Sequence, residues 1–104
     1  MKSTCLALSL VFLFSCNNTK KETIPVLEKI DGKDIFNNRC TSCHGMNGKL
    51  GFSGAKDLTK SLLTITQIEY QVTNGKGAMT PFKNILTIEE ISAVAIYCKT
   101  FQQK

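Results

Sequence analysis

Cys40-Thr41-Ser42-Cys43-His44 constrains this chain more than any other stretch. Two thiols three positions apart, with a histidine directly after the second, form the C-x-x-C-H pattern that attaches a c-type haem. The spacing has a chemical reason. On a turn at the end of a helix, the two sulfurs reach the two vinyl groups on one edge of a porphyrin. The following imidazole then swings under the ring to the iron. A group held this way cannot diffuse out, and one axial position is already filled by nitrogen.

Two other chemistries use C-x-x-C. A zinc site needs a second ligand pair, whereas His44 is the single histidine and Cys98 stands apart from any partner in sequence. A redox dithiol of the thioredoxin kind needs a βαβ setting, and the segments around Cys40 and Cys43 read as helical. The haem reading is the one carried forward: one covalently attached haem c, with its iron, per chain.

With 104 residues, the chain allows one small domain, near the lower limit for an unaided core. A covalent haem adds a large apolar body, a staple of the kind small domains need. The first residues read as a targeting segment rather than fold. Met1-Lys2 is positive, and the apolar run Leu6 to Phe14 is too short to span a bilayer as a mature helix. Leu13-Phe14-Ser15-Cys16 resembles the lipobox of a bacterial lipoprotein signal. That resemblance implies a signal peptide over 1–15, removal up to Cys16, and a lipid on Cys16. The competing expectation is ordinary signal cleavage nearby, with Cys16 a loose thiol. Either way the chain is exported, and in bacteria haem c is attached outside the cytoplasm.

Residues 16–30 are polar, charged and broken by Pro25, a tether between membrane and domain. The folded domain is expected over 31–104. The net charge is +5 for the whole chain, and loss of Lys2 leaves +4. Two haem propionates lower this to about +2, too little to mark a nucleic-acid binder, and no nucleic-acid motif is present.

Along the domain, Asp31 and Asp34 suit the start of a helix running to about Cys40. Gly32 and Phe36, four apart, share a face of it. The stretch Gly45 to Lys56 carries Gly45, Gly48, Gly51 and Gly54. This reads as backbone folded tightly around something flat rather than a plain flexible loop. It lacks the G-K-[ST] of a phosphate loop. Thr64-x-x-Gln67 and Thr87-x-x-Glu90 are capping boxes that open two more helices. The first is stopped by Asn74-Gly75 and the second runs to about Phe101. Ile91, Val94, Ala95, Cys98 and Phe101 form one apolar stripe. No strand alternation of useful length appears, so the class is all-α. Within the stripe Cys98 reads as a small buried hydrophobe; the sharper possibility is an intermolecular disulfide.

Iron held by His44 needs a second axial ligand or an open site. Thioether sulfur is the usual choice in electron carriers and favours ferrous iron. Met1 leaves with the signal, and Met46 lies too near His44 to cross the ring. Met79 remains, in Gly75-Lys76-Gly77-Ala78-Met79-Thr80-Pro81-Phe82, where glycines allow close approach and Pro81 stiffens the exit. The competing role for Met79 is a core gap-filler.

From about Asp31 to Phe101 the chain resembles a class I cytochrome c of the small, single-haem bacterial kind. The resemblance rests on Gly32 and Phe36 before the haem motif, Cys40 to Gly45, Gly54-Ala55-Lys56-Asp57-Leu58, Asn74 to Phe82, and a final helix carrying Tyr97. It implies a small cytochrome c fold, three to four helices around one covalently bound haem. It implies that Gly32 and Phe36 cross the last helix near Val94 and Tyr97, and that Leu58 packs on the haem. Cys40, Cys43, His44 and Met79 are the expected cofactor-binding residues, with His44 and Met79 as the metal ligands. Two features depart from the family pattern. The proline whose carbonyl accepts from the axial histidine has no obvious counterpart, so no partner of His44 Nδ1 is assigned. There is also no tryptophan to hold a propionate.

The expected function is single-electron transfer between a redox donor and a redox acceptor. It would take place on the periplasmic side of a bacterial membrane, with the protein a monomer held by lipidated Cys16. No catalytic residues accompany the haem, so the chain is not expected to be an enzyme. From Gly45 to Leu86 five lysines (49, 56, 60, 76 and 83) face only Asp57 and Glu69. In the family fold these loops surround the exposed haem edge, and a partner with an acidic docking face is expected. The alternatives are a haem enzyme or ligand-sensing cytochrome whose sixth ligand is displaceable, and a fixed relay subunit of a larger oxidoreductase.

Overall fold

The computed structural model describes residues 29–103. The expected signal peptide over 1–15, the expected lipid site Cys16 and all but the last two positions of the expected tether therefore lie outside the described residues.

Helix α1, Gly32–Arg39, begins where Asp31 stops being helical and its carboxylate accepts from the Lys33 amide at 2.8 Å. Asp34 in the first turn and Arg39 in the last both oppose the helix dipole. The helix ends at Arg39, one residue before the expected limit, with Cys40 as its C-cap. The chain then makes one further turn, α2, Thr41–His44. The Cys40 amide still bonds the Phe36 carbonyl at 2.9 Å, so α2 hangs rigidly from the end of α1.

Gly45 ends α2 with φ 73°. Between Gly45 and Lys60 the chain has no long helix, only 3-10 turns at Phe52–Gly54 and Leu58–Lys60. All four glycines of this loop take positive φ, as their spacing suggested. Asp57 caps the second turn, accepting from the Thr59 amide at 2.9 Å and the Thr59 hydroxyl at 2.6 Å.

Helices α3, Ile65–Asn74, and α4, Ile88–Lys99, both open on complete capping boxes. In α3 the Thr64 amide donates to Gln67 Oε1 at 2.9 Å, and in α4 the Thr87 amide donates to Glu90 Oε2 at 2.7 Å. α4 ends two residues before the expected limit. Its last turn tightens into a 3-10 turn, Thr100–Gln103, with the Thr100 hydroxyl on the Tyr97 carbonyl at 2.6 Å. Phe101 nevertheless stays on the buried stripe.

The core lies where α1 and α3 pack on α4. Phe36, Val94 and Ala95 are wholly inaccessible, and Ile68, Val72, Phe82, Ile91, Cys98 and Phe101 close around them. The expected crossing is observed. Gly32 lies directly on the backbone of α4, so a Cβ built there would collide with the Ala93 carbonyl and come within 3.1 Å of the Val94 nitrogen. One turn further, Phe36 stacks in tilted geometry on Tyr97 and Phe101, with centroids 5.3 and 5.1 Å away. Tyr97 and Phe101 meet edge-to-face at 5.4 Å. Cys98 is a buried hydrophobe of this core, 8% exposed. Lys99 Nζ and Gln102 Nε2 both donate to the Leu63 carbonyl, at 2.9 and 3.3 Å, and tie the C-terminal end to the approach to α3. Among the described residues the only β pairing is an isolated bridge between Lys76 and Met79, and the fold is all-α.

Candidate haem site

The attachment motif occupies one helical turn. The amides of Cys43 and His44 both bond the Cys40 carbonyl, at 3.3 and 2.9 Å, and Gly45 bonds Thr41 at 2.8 Å. This turn puts Cys40 and Cys43 on one face, three positions apart. Cys40 also packs against the core cluster. Burial, with the neighbouring Cys43, pushes its thiol up to about 11. That is the opposite of a redox dithiol, whose nucleophilic cysteine is depressed toward neutrality. Among the described residues no group of three or more His, Cys, Asp or Glu is placed to hold a metal ion.

His44 has a partner that the sequence left unassigned. Its Nδ1 lies 3.1 Å from the main-chain oxygen of Lys56. A carbonyl oxygen only accepts, so Nδ1 is the donor and Nε2 is the ring nitrogen left to face a metal. Lys56 stands in Gly54-Ala55-Lys56-Asp57-Leu58, one of the segments that carry the family resemblance. The acceptor is backbone, so no particular side chain is needed and no proline is required. The surrounding loop is fixed by the Asp57 cap and by the Leu58 amide on the Gly48 carbonyl at 2.9 Å. Hydrogen bonds from Thr59 hold the Asp57 carboxyl below its ordinary range.

Met79 lies on the loop between α3 and α4. It is half-buried and packs against the core cluster. Its amide donates to the Lys76 carbonyl at 3.0 Å. The loop is pinned at its exit by Phe82 on the Val72 carbonyl at 2.9 Å and Lys83 on the Thr73 carbonyl at 3.3 Å. Met46, by contrast, is 66% exposed. Leu58 packs against the core as well. Leu50 and Phe52, on the loop that follows His44, present apolar side chains to the exterior.

Two core-packed segments thus offer two thiols, an imidazole nitrogen and a thioether. That donor set fits a haem, two thiols for its vinyl groups and an imidazole and a thioether for its iron, and does not suit a hard cation. An all-α fold of this size, with C-x-x-C-H on the turn after its first helix, is that of a c-type cytochrome.

The comparisons agree. The family described as cytochrome c oxidase, cbb3-type, subunit III matches residues 28–97. Cytochrome c6 of Leptolyngbya boryana is 43% identical over 72 residues, 64% of this chain and 84% of that protein. Cytochrome c6 of Rippkaea orientalis is 38% identical over 98 residues, 86% of this chain and 87% of that protein. Among solved structures, cytochrome c6 of the diatom Phaeodactylum tricornutum superposes with TM-score 0.57 at 33% identity, covering 69% of this chain and 91% of the other. The KustC0563 c-type cytochrome superposes with TM-score 0.65 at 28% identity, covering 70% and 99%. The chain belongs to the small class I c-type cytochromes, the family of the cytochromes c6. It carries a single covalently bound haem c, and it is an electron-transfer protein rather than an enzyme.

Proposed function

We propose that this cytochrome is a membrane-tethered, single-electron carrier. In this reading Cys40 and Cys43 hold the porphyrin as thioethers, His44 and Met79 are the axial ligands, and lipidated Cys16 holds the domain at the outer side of a bacterial membrane. Bound haem supplies a one-electron ferrous–ferric cycle. The chain's own residues do the rest. Lys56 orients the His44 ring by accepting from Nδ1, so that Nε2 is the nitrogen turned to the iron, the helical turn of α2 holds the two sulfurs on one face, and the α3–α4 loop presents Met79.

One observation carries the reading: the His44 Nδ1 to Lys56 carbonyl hydrogen bond of 3.1 Å, which leaves the other ring nitrogen free. Visible spectra of the exported protein in both redox states test it. Methionine ligation requires a sulfur-to-iron charge-transfer band in the ferric state, and Met79→Ala should abolish that band and lower the potential. An unchanged Met79→Ala spectrum would assign the sixth position to another group. Relationship to the cytochromes c6 supports an extracytoplasmic site of action. For the tether, Cys16→Ser should block processing or release the domain from membranes. A wild-type protein found fully soluble after lysis refutes the anchor.

The docking face is read as basic. Lys49, Lys56, Lys60, Lys76 and Lys83 are all exposed, while Asp57 and Glu69 are half-buried. Two of these lysines adjoin the proposed ligands through the backbone, Lys56 at His44 and Lys76 at Met79. A redox partner with an acidic face complements such a rim. A second reading, a fixed relay subunit of a terminal oxidase, is favoured by the match over residues 28–97 to the cbb3-type oxidase subunit III family. Co-purification of the tagged protein with a multisubunit oxidase supports that reading. Recovery of the tagged protein alone supports the mobile carrier.

A further inference from the structure

We propose that Gly75 is the positioning residue for the sixth ligand. This rests on the reading of Met79 as that ligand. Gly75 ends α3, donating to the Gln71 carbonyl at 2.7 Å with φ 68° and ψ 176°. L side chains rarely adopt that backbone region. Gly75 also lies face to face with the part of the loop that carries Met79. A Cβ built on it would collide with the Met79 carbonyl oxygen and lie 2.8 Å from the Pro81 nitrogen and 3.1 Å from Pro81 Cδ. The colliding atoms belong to the main chain and to a rigid ring, so they cannot step aside as a flexible side chain would.

The loop has little freedom to absorb such a collision elsewhere. The Met79 amide is bonded to Lys76, and Phe82 and Lys83 are bonded back to Val72 and Thr73 in the last turn of α3. Both ends of the loop are therefore fixed to the same helix end, and Gly75 sits between them. Any residue larger than glycine at 75 displaces Met79 along with its backbone. Gly77 lies only two residues away and also has positive φ, 59°, but a Cβ there meets nothing within 4 Å. The two glycines thus make opposite predictions. Gly75 is required by close approach and Gly77 only by its turn.

The experiment uses the ferric, haem-bearing protein and reads the sulfur-to-iron charge-transfer band, the rate of cyanide binding and the reduction potential. Gly75→Ala should keep the haem attached and the helical content unchanged. Its band should weaken, its potential should fall, and cyanide should bind on the order of tenfold faster, the size expected of strain at one backbone position. Gly77→Asn, a residue that tolerates the left-handed region, should match the wild type in all three. Should Gly75→Ala fail to fold, Pro81→Ala removes the exposed ring that lies against Gly75 and should speed cyanide binding in the same sense. Wild-type band and cyanide rate in Gly75→Ala would overturn the proposal, as would an equal shift in Gly77→Asn. If Gly75→Ala does not fold, an unchanged rate in Pro81→Ala would do the same. Met79→Ala separates this from the underlying reading. If it loses the band while Gly75→Ala keeps it, Met79 stands as ligand and only the role of Gly75 falls. If it keeps the band, the ligand assignment itself is wrong.

Discussion

Replacing Gly32 with alanine tests how the helix bearing the haem turn is seated. A methyl at this position points into the backbone of α4, 2.5 Å from the Ala93 carbonyl carbon and 3.1 Å from the Val94 nitrogen. Comfortable separation between heavy atoms is about 3.5–4.0 Å, so α1 must withdraw by about 1 Å. It cannot do so alone, because Phe36, one turn on, is wholly buried against Tyr97 and Phe101. Overpacking of this kind costs about 1–3 kcal/mol. Alanine is a better helix former than glycine by up to about 1 kcal/mol in a helix interior. Gly32 is the first residue of α1, where that gain is smaller. A net loss of about 1–2 kcal/mol remains, or a fall in Tm of about 5–15 °C for a domain of this size. Thermal unfolding of the ferric, haem-bearing protein, followed by far-ultraviolet circular dichroism, measures it. Gly32→Ser should do the same or worse. A Gly32→Ala protein as stable as the wild type would refute the close crossing of α1 and α4.

Further outcomes follow from the same geometry. Haem should remain with the chain through denaturation and acid–organic extraction, and a mature mass without it would contradict attachment at Cys40 and Cys43. In the holoprotein Cys98 is the free thiol of the core, and burial pushes it up. It should therefore resist alkylation at pH 8 until the protein is unfolded, and rapid labelling of the native protein would contradict its place in the core. A thiol raised by folding favours the unfolded state as pH climbs above its unfolded value, so Cys98→Ala should flatten the loss of stability above about pH 9. The Asp57 carboxyl is shifted the other way, held low chiefly by the Thr59 hydroxyl. Its contribution is present above the unfolded carboxylate value and fades as pH falls through the folded one, so Asp57→Asn should flatten the acid limb of a stability profile. Lys76→Glu or Lys83→Glu should slow electron transfer to an acidic partner more than Lys104→Glu, with a rate that falls as salt rises. A rate flat in salt, with the three variants alike, would remove the basic face.

What could be read in advance and what could not divide along a physical line. The capping boxes at Thr64 and Thr87 were legible because each is a side chain bonding a backbone group three positions away. The stripe from Ile91 to Phe101 was legible because burial selects apolar residues at helical spacing. The crossing at Gly32 and Phe36 was legible only through resemblance, since nothing local to α1 says which helix it meets. The Lys56 carbonyl was not legible. Every residue has a carbonyl oxygen, so the hydrogen-bond partner of His44 leaves no residue-type signature. The same holds for the tie from Lys99 and Gln102 to Leu63, which joins residues 36 and 39 positions apart. The close approach of Gly75 to Met79 left a faint sign, a glycine after Asn74, but that reads equally well as an ordinary helix stop.

The two sides of the site are built differently, and the difference bears on function. On the histidine side, both thiols and the imidazole belong to one helical turn that continues α1, and the ring is held by the Asp57-capped loop through Lys56. Covalent attachment then fixes that side outright. On the methionine side a single residue is presented by a loop, held by one turn hydrogen bond and by its exit into α3. In the proposed ligation, loss of a ligand begins where the fewest bonds break, which is the methionine side. An electron carrier needs both axial positions filled in both redox states so that little moves when the electron does. A ligand-binding cytochrome needs the methionine to leave. The same scaffold serves either end, and the tightness of the loop decides between them. Close apposition of Gly75, Met79 and Pro81, with Phe82 buried in the core immediately after, is the arrangement of a loop meant to stay shut. It therefore favours electron transfer over ligand sensing for this chain.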